Sequence, residues 1–466
     1  MNRLPLACAA LIALAGCTLG PNYKRPTTPT PPQYRGADPA GGAASLAQTN
    51  WADLFQDDAL KQLLTTALNQ NHDLRIAADR VLEARAQYRI TFAGELPSVN
   101  ATAAFTEVRA SRIGSSRFVP PGISLDSSYT QAAFTLNWEL DFFGRLRRMT
   151  EAARAQYLAT EEGRRGVQTT LVADVMTNYF QLRELDAELE IARQTAAVGN
   201  DGLRLTTVRR DRGVATGLDV RQAEELLYTA TAEIAAVERQ IAQTENALSA
   251  LLGNYPGDIP RGQSLNQLKT PAQAPAGLTS DLIERRPDIR QAEQNLIAAN
   301  ANIGAAKALY FPQISLTGSL GEQSRALSNL FTGPARAWTF SNPIGNVPVF
   351  TAGAVRAAVR LSETQKHEAL ETYTKAIETA FREVSDALIE YQKDGEQRQQ
   401  EERLVAALRE ADRLSRLRYT GGLDSYLQVL DAERNLFQGE LTLAQLRRQE
   451  LLSVVQLYRA LGGGWS

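Results

Sequence analysis

RGVATGLDVRQAE (Arg212–Glu224) and GGLDSYLQVLDAE (Gly421–Glu433) are two versions of one segment, offset by 209 residues from Arg212 to Gly421. At that offset Gly213 meets Gly422, Leu218 meets Leu427, Val220 meets Val429 and Ala223 meets Ala432. Downstream, Leu252-Gly253 meets Leu461-Gly462. Upstream, Gly144 meets Gly353 without a gap. Further upstream Asp73-Leu74-Arg75 matches Asp288-Ile289-Arg290 and Pro97 matches Pro312, now at an offset of 215. The difference falls between Pro97 and Gly144, where a loop of variable length is expected. Ungapped register over so long a stretch identifies an internal duplication, which has to be found before any fold is assigned.

Proline is spread unevenly. None occurs from Gly122 to Tyr255 and none follows Pro348, while Pro256, Pro260, Pro271, Pro275 and Pro287 crowd the stretch between. The free tracts read as long helices and the clusters as caps and linkers. Each copy reads as helix, strand, strand, long helix, helix. Ala132, Phe134, Leu136, Trp138, Leu140 and Phe142 share one face. Gln131, Thr135, Asn137, Glu139 and Asp141 share the other, the period-2 alternation of a strand with one apolar face. Ile314, Leu316 and Leu320 alternate with Gln313, Ser315, Thr317 and Ser319 in the same way. A first strand is expected near Val99–Phe105. A fourth is expected around Trp338–Val349, interrupted by Pro343 and Pro348.

From Gly144 to about Arg210, Val172, Val175, Tyr179, Leu182, Leu185, Leu189, Ala192 and Ala196 step by three or four, a coiled-coil-like stripe. About 66 residues at ~1.5 Å each make a rod of roughly 100 Å. The second copy, Ala354 to about Leu417, has the same length, and the Ala-rich stretch Leu296–Ala308 allows close helix packing. By pattern alone the strands could also be soluble hairpins resting on a core, and the rods a solvated coiled coil.

Composition excludes several classes. The chain has 466 residues and a formal charge of −2, so no strong attraction to nucleic acid is implied. His72 and His367 are far apart, Cys8 and Cys17 both lie near the start, and three methionines complete a poor inventory for metal or nucleophilic chemistry. No catalytic residue, metal ligand or cofactor is expected, and the chain does not read as an enzyme.

The first residues give an address. Arg3 is a short positive region, and Leu4 to Leu14 is an apolar run too short to span a bilayer. Leu14-Ala15-Gly16-Cys17 then matches the bacterial lipoprotein signal, so Cys17 is expected to carry lipid. Several acyl chains anchor stably where one would not. Thr18, rather than aspartate, after the cysteine favours the outer membrane. No later apolar run is long enough for a transmembrane helix, so any spanning falls to β-strands. Four strands per chain cannot close a membrane barrel, and open edges in lipid leave backbone groups unsatisfied. Two chains would supply eight strands and three would supply twelve. Geometry does not choose between them, although twelve would leave a lumen.

LTSDLIERRPDIRQAE (Leu278–Glu293) resembles the hallmark of the OprM-like outer-membrane efflux lipoproteins, the outer membrane factor family to which TolC is more distantly related. GPNYKRP (Gly20–Pro26), LDFFGR (Leu140–Arg145) and ALGGGW (Ala460–Trp465) extend the resemblance over essentially the whole mature chain. It implies an α-dominated, internally duplicated membrane protein. Three copies would form a homotrimer whose twelve-stranded β-barrel is continued by a long periplasmic α-helical barrel. On that reading 1–16 is a signal peptide and 17–57 a lipidated N-terminal segment. The first repeat is 58–253, 254–280 is an equatorial linker, 281–463 is the second repeat and 464–466 a tail. The implied function is a passive exit duct for drugs and other small molecules. An inner-membrane pump of the RND class would deliver them through a periplasmic adaptor. An exit duct for type I protein secretion is the alternative. Outer-membrane lipid is the remaining expected contact, with no cofactor beyond the lipid on Cys17.

Gly213 and Gly422 permit tight helix-to-helix reversals. By the resemblance these turns are the periplasmic tips that receive the adaptor, through Gly213, Val214, Asp219, Gly422, Leu423 and Asp424. Within GLDSYLQVLDAERNLF (Gly422–Phe437) it places Leu427 and Asp431 at a periplasmic gate, with Arg434 near enough to pair with carboxylates. Leu427 and Asp431 are four residues apart and share a helix face. Threefold symmetry would turn each into a ring, the leucines closing by packing and dewetting and the aspartates favouring cations. Where TolC-like proteins carry a further acidic residue, this chain has Gln428.

Overall fold

The computed structural model describes residues 18–36, 45–49, 51–111, 113, 124–270, 276–277, 279–341 and 347–464. The signal peptide, Cys17, Leu278, Pro343 and Trp465 lie outside the described residues.

After a single turn at Trp51–Leu54 come α1 (Asp58–Gln70), α2 (His72–Ala93), β1 (Ser98–Arg109), β2 (Asp126–Leu140), α3 (Arg145–Asp211) and α4 (Gly217–Leu251). The sequence of elements then returns as α5 (Thr279–Arg285), α6 (Pro287–Ala308), β3 (Ile314–Ser324), β4 (Arg336–Ser341), α7 (Ala354–Thr420) and α8 (Tyr426–Ala460). α3 and α7 both run 67 residues, α4 and α8 both 35, and α2 and α6 both 22. The long helices run on because no proline ring removes a backbone donor or clashes with the preceding turn. None of the described helices is long and apolar enough to cross a membrane.

β1 to β4 make one antiparallel sheet in the order β1-β2-β3-β4. The register aligns Ala101, Phe134, Leu320 and Trp338 in one row and Val99, Leu136, Gly318 and Phe340 in a neighbouring one. Val99, Phe134, Leu320, Trp338 and Phe340 are all exposed, so one face offers a contiguous apolar patch. β1 is longer than Val99–Phe105. β2 stops at Leu140 rather than Phe142, where the Phe142 N–H turns back to the Leu140 carbonyl at 2.9 Å. β4 is the shortest strand and ends at Ser341, well before Val349. Proline cannot donate to a ladder, and Pro348 carries no strand assignment.

The chain divides into two compact units that do not follow the linear boundaries at 253 and 281. One holds the described residues up to Pro26, with Val81–Ala159 and Glu293–Thr372. The other holds Thr27–Arg80, Thr160–Ala292 and the chain from Tyr373 onward. Each takes segments from both copies: β1 and β2 join β3 and β4 in one sheet in the first unit, and α4 packs against α8 in the second.

In the first unit the start of α3 packs on α6 through Ala152, Ala155, Ala298 and Ala301, small side chains that let the helices approach. An N-terminal strap is tied to the same two helices. Arg148 donates from Nε to the Leu19 carbonyl at 3.0 Å and from Nη2 to Asn22 Oδ1 at 2.7 Å. Asn300 donates to the Pro21 carbonyl at 2.8 Å. Arg25 grips both oxygens of Glu293 at 2.6 Å, and the Tyr23 hydroxyl donates to Glu293 at 3.0 Å. GPNYKRP and the last residue of LTSDLIERRPDIRQAE are thus two halves of one contact.

In the second unit Val172, Val175, Tyr179, Leu182, Leu185 and Ala192 are buried, while Leu189 and Ala196 are half-buried. Asp57 is a hub there. It caps α1 by accepting from the Leu60 N–H at 3.1 Å, and it accepts from the Tyr179 hydroxyl at 2.8 Å and the Gln263 N–H at 2.9 Å.

Candidate functional site

Two helical hairpins, α3–α4 and α7–α8, end in matching reversals. In the first, Gly213 takes φ +70°, its N–H donates to the Arg210 carbonyl at 2.8 Å, and the Val214 N–H donates to Arg209 at 2.9 Å. In the second, Gly422 takes φ +75° and donates to Tyr419 at 3.0 Å, while Leu423 donates to Arg418 at 2.9 Å. A side chain is strained at that φ, and the two bonds satisfy carbonyls that the helix end would leave open.

The returning helices begin differently. Thr216 Oγ1 accepts from the Asp219 N–H at 3.2 Å while Asp219 accepts from the Thr216 N–H at 2.7 Å, a capping box at the start of α4. Ser425, before α8, makes no side-chain capping bond, and Gln428 stands where the first copy has Asp219. Asp424 is held by Arg418 at 2.6 and 3.1 Å. The Arg418 hydrogen bond keeps its carboxyl below the usual carboxylate range.

Behind the turns the hairpins pack on each other. Tyr419, Tyr426, Val429 and Leu430 of the second meet Ala223 and Leu226 of the first in one buried cluster. The Tyr419 and Tyr426 ring centroids are 5.4 Å apart. The Arg209 guanidinium lies 4.4 Å from the Tyr419 centroid, and its Nη1 donates to the Tyr419 carbonyl at 3.4 Å. Gly202 leaves room for Tyr426, since a Cβ there would stand 2.9 Å from the Tyr426 hydroxyl.

Leu427, Asp431 and Arg434 all emerge on an exposed side of α8. Leu427 is 50% exposed, and Val214 and Leu423 are more so at 66% and 70%. Asp431 accepts from Asn435 at 3.4 Å. Arg434 lies 3.7 Å from Glu225 of α4, so within one subunit it ties the two hairpins together and does not pair with Asp431. Asp219 and Asp424 both serve the architecture of their own turns, although both keep partial exposure. Arg209, Arg418, Tyr419 and Tyr426 hold the site together and were not singled out from the sequence. A signal existed in Arg418-Tyr419 immediately before Thr420-Gly421-Gly422, where a helix-ending cation and an aromatic flank the turn. Leu218, the counterpart of Leu427, is exposed as well. The arrangement presents apolar side chains and a carboxylate at the ends of two packed hairpins. That suits docking and the lining of an aperture rather than bond-making chemistry.

Two stretches of the chain, 63–254 and 278–463, match the model of the family described as outer membrane efflux protein. The chain is 42% identical over 476 aligned residues to the solvent efflux pump outer membrane protein SrpC of Pseudomonas putida, covering 100% of this chain and 99% of the relative. It is 38% identical to the cation efflux system protein CusC of Escherichia coli O6:H1, covering 98% of each. Among solved structures, the open state of the MtrE outer membrane channel of Neisseria gonorrhoeae superposes with a TM-score of 0.87 at 31% identity, covering 97% of this chain and 99% of that one. A crystal structure of CusC gives 0.85 at 35% identity, covering 96% and 100%.

Proposed function

The chain belongs to the outer membrane efflux protein family, and we propose that it works as a passive exit duct gated at its two hairpin ends. It is the outer-membrane channel component of an efflux pump, and it is located in the outer membrane. Three copies supply twelve strands, so that the open edges of β1 and β4 pair between subunits and the apolar face carrying Phe134, Leu320 and Trp338 meets lipid. The two repeats, 58–253 and 281–463, each contribute two strands and one hairpin to this assembly.

Drugs and other small molecules enter from a periplasmic adaptor, fed by an inner-membrane pump of the RND class. The adaptor meets Gly213, Val214 and Asp219 at one turn and Gly422, Leu423 and Asp424 at the other. Leu427 and Asp431 form the periplasmic gate, and Arg434 steadies it through Glu225. Opening needs a partner that binds one arrangement of the hairpins better than the other. Cys17 carries the lipid anchor. The observation that carries the reading is the pair of equal hairpins whose ends expose Val214, Leu423 and Leu427 while Tyr419 and Tyr426 bind them together behind. Protein secretion is not favoured, because the relatives are efflux components.

The test is dye and antibiotic accumulation in a deletion strain. It is complemented with the natural protein or with one whose hairpin ends are locked by an engineered disulfide. Rescue by the natural protein, and by the locked form only after reduction, is expected. Equal rescue by both forms would remove the gate, and no accumulation phenotype would return secretion to consideration. A Cys17→Ser variant that still partitions with acylated protein would remove the anchor assignment.

A further inference from the structure

Four acidic side chains are buried along the two seams of α8. On the α3 side Arg448 reaches Glu184 at 2.7 Å, and Gln445 donates to Glu188 at 3.1 Å. Glu184 and Glu188 share the single cation Arg448, and Glu233 of α4 adds a further negative charge facing Glu188. On the α7 side Arg416 bonds Glu433 of α8 at 2.9 Å but is also held by Asp412 at 2.9 and 3.0 Å. Asp394 of α7 has only the neutral Gln449 at 3.2 Å, with Glu390 and Glu450 nearby and Arg398 engaged by Glu450 at 2.7 Å. On both seams carboxylates outnumber the cations that face them.

We propose that the two seams of α8 form a pH-responsive joint, which packs most firmly in acid and loosens as the surroundings become alkaline. Taking an ionised carboxylate out of water is costly unless its partners compensate in full. Here they do not: one oxygen of Glu433, Oε2, is buried without a hydrogen bond in the protein. Burial pushes Glu184 and Glu433 up to about 7 and also raises Glu188 and Asp394. A carboxyl whose packed-state pKa lies above its ordinary value stabilises packing fully below that ordinary value, and the contribution is lost as pH rises through the packed-state pKa. The window is therefore the climb to neutrality and just beyond. α8 also carries Leu427 and Asp431, but the joint does not depend on a role for them in conduction.

Amide hydrogen exchange along α8 in the purified full-length protein, corrected for the intrinsic pH dependence of exchange, tests this between pH 6 and pH 8.5. The natural protein should lose protection over that interval by about tenfold for each of Glu184 and Glu433, roughly a hundredfold where one opening exposes both. A Glu184→Gln, Glu433→Gln double variant should change less than about twofold, and Glu396→Gln, an exposed control, should respond like the natural protein. Should the double variant fail to fold, each single variant must still flatten the response. A pH-independent natural protein, or neutral variants that retain the full response, would overturn the proposal.

Discussion

Gly20 and Gly304 touch backbone to backbone: a Cβ on Gly20 would stand 2.5 Å from the Gly304 Cα, and one on Gly304 would stand 2.5 Å from the Leu19 carbonyl oxygen. Gly304→Val therefore cannot coexist with the strap as it lies. Overpacking of this kind costs about 1–3 kcal/mol. The strap should leave its track, and limited proteolysis within residues 18–26 should speed up roughly tenfold. Equal resistance in both proteins would mean that Arg148, Asn300 and Glu293 hold the strap without that close approach.

The two hairpin ends should answer unequally to the same change. Thr216→Ala removes half of a capping box and should cost about 1 kcal/mol, seen as about fivefold faster amide exchange in the first turn of α4. Ser425→Ala deletes a hydroxyl that caps nothing and should stay within a few tenths. Matching effects at both ends would contradict the asymmetry of the caps.

Leu427→Ala and Asp431→Asn should each raise single-channel conductance in planar bilayers, the first by widening an apolar constriction and the second by relaxing a charged ring. Leu423→Ala, at the turn itself, should leave conductance unchanged and weaken association with the adaptor. Conductance indifferent to both Leu427 and Asp431 would end the gate assignment.

Arg209 and Tyr419 couple the hairpins through a ring face. Arg209→Ala, Tyr419→Leu and the double variant should give a coupling of about 0.5–1 kcal/mol in a double-mutant cycle. Tyr419→Phe keeps both the ring and the carbonyl that Arg209 uses, so it should keep most of that coupling. A coupling of zero would make the contact incidental.

Much of this architecture was legible in the sequence because it rests on local rules. The absence of proline from Gly122 to Tyr255 lets α3 run unbroken, and Gly213 and Gly422 announce its end and that of α7. The alternation of Phe134, Leu136 and Trp138 marks β2. What pattern could not give was long-range partnership. Nothing in the spacing of Gly20 and Gly304 says that they meet. Asp219, by contrast, stands three residues after Thr216 in the spacing of a capping box, a local signal that could have assigned it. Arg434 has carboxylates on its own helix, and only the packing of α8 on α4 assigns it Glu225. β4 is assigned only as far as Ser341, which faces Thr317 of β3.

The missing cap at Ser425 has a consequence for how such a molecule acquires motion. A duplicated unit would ordinarily yield two equally stiff posts. Here one post keeps its brace, Thr216 with Asp219, while its twin has exchanged the brace for Ser425 and Gln428. On the proposed gate, the capped end would serve as a jamb and the uncapped end as a leaf made from the same pattern. Such a difference in compliance would be written in a few side chains rather than in a separate hinge, where selection could adjust it without touching the length or register of either helix.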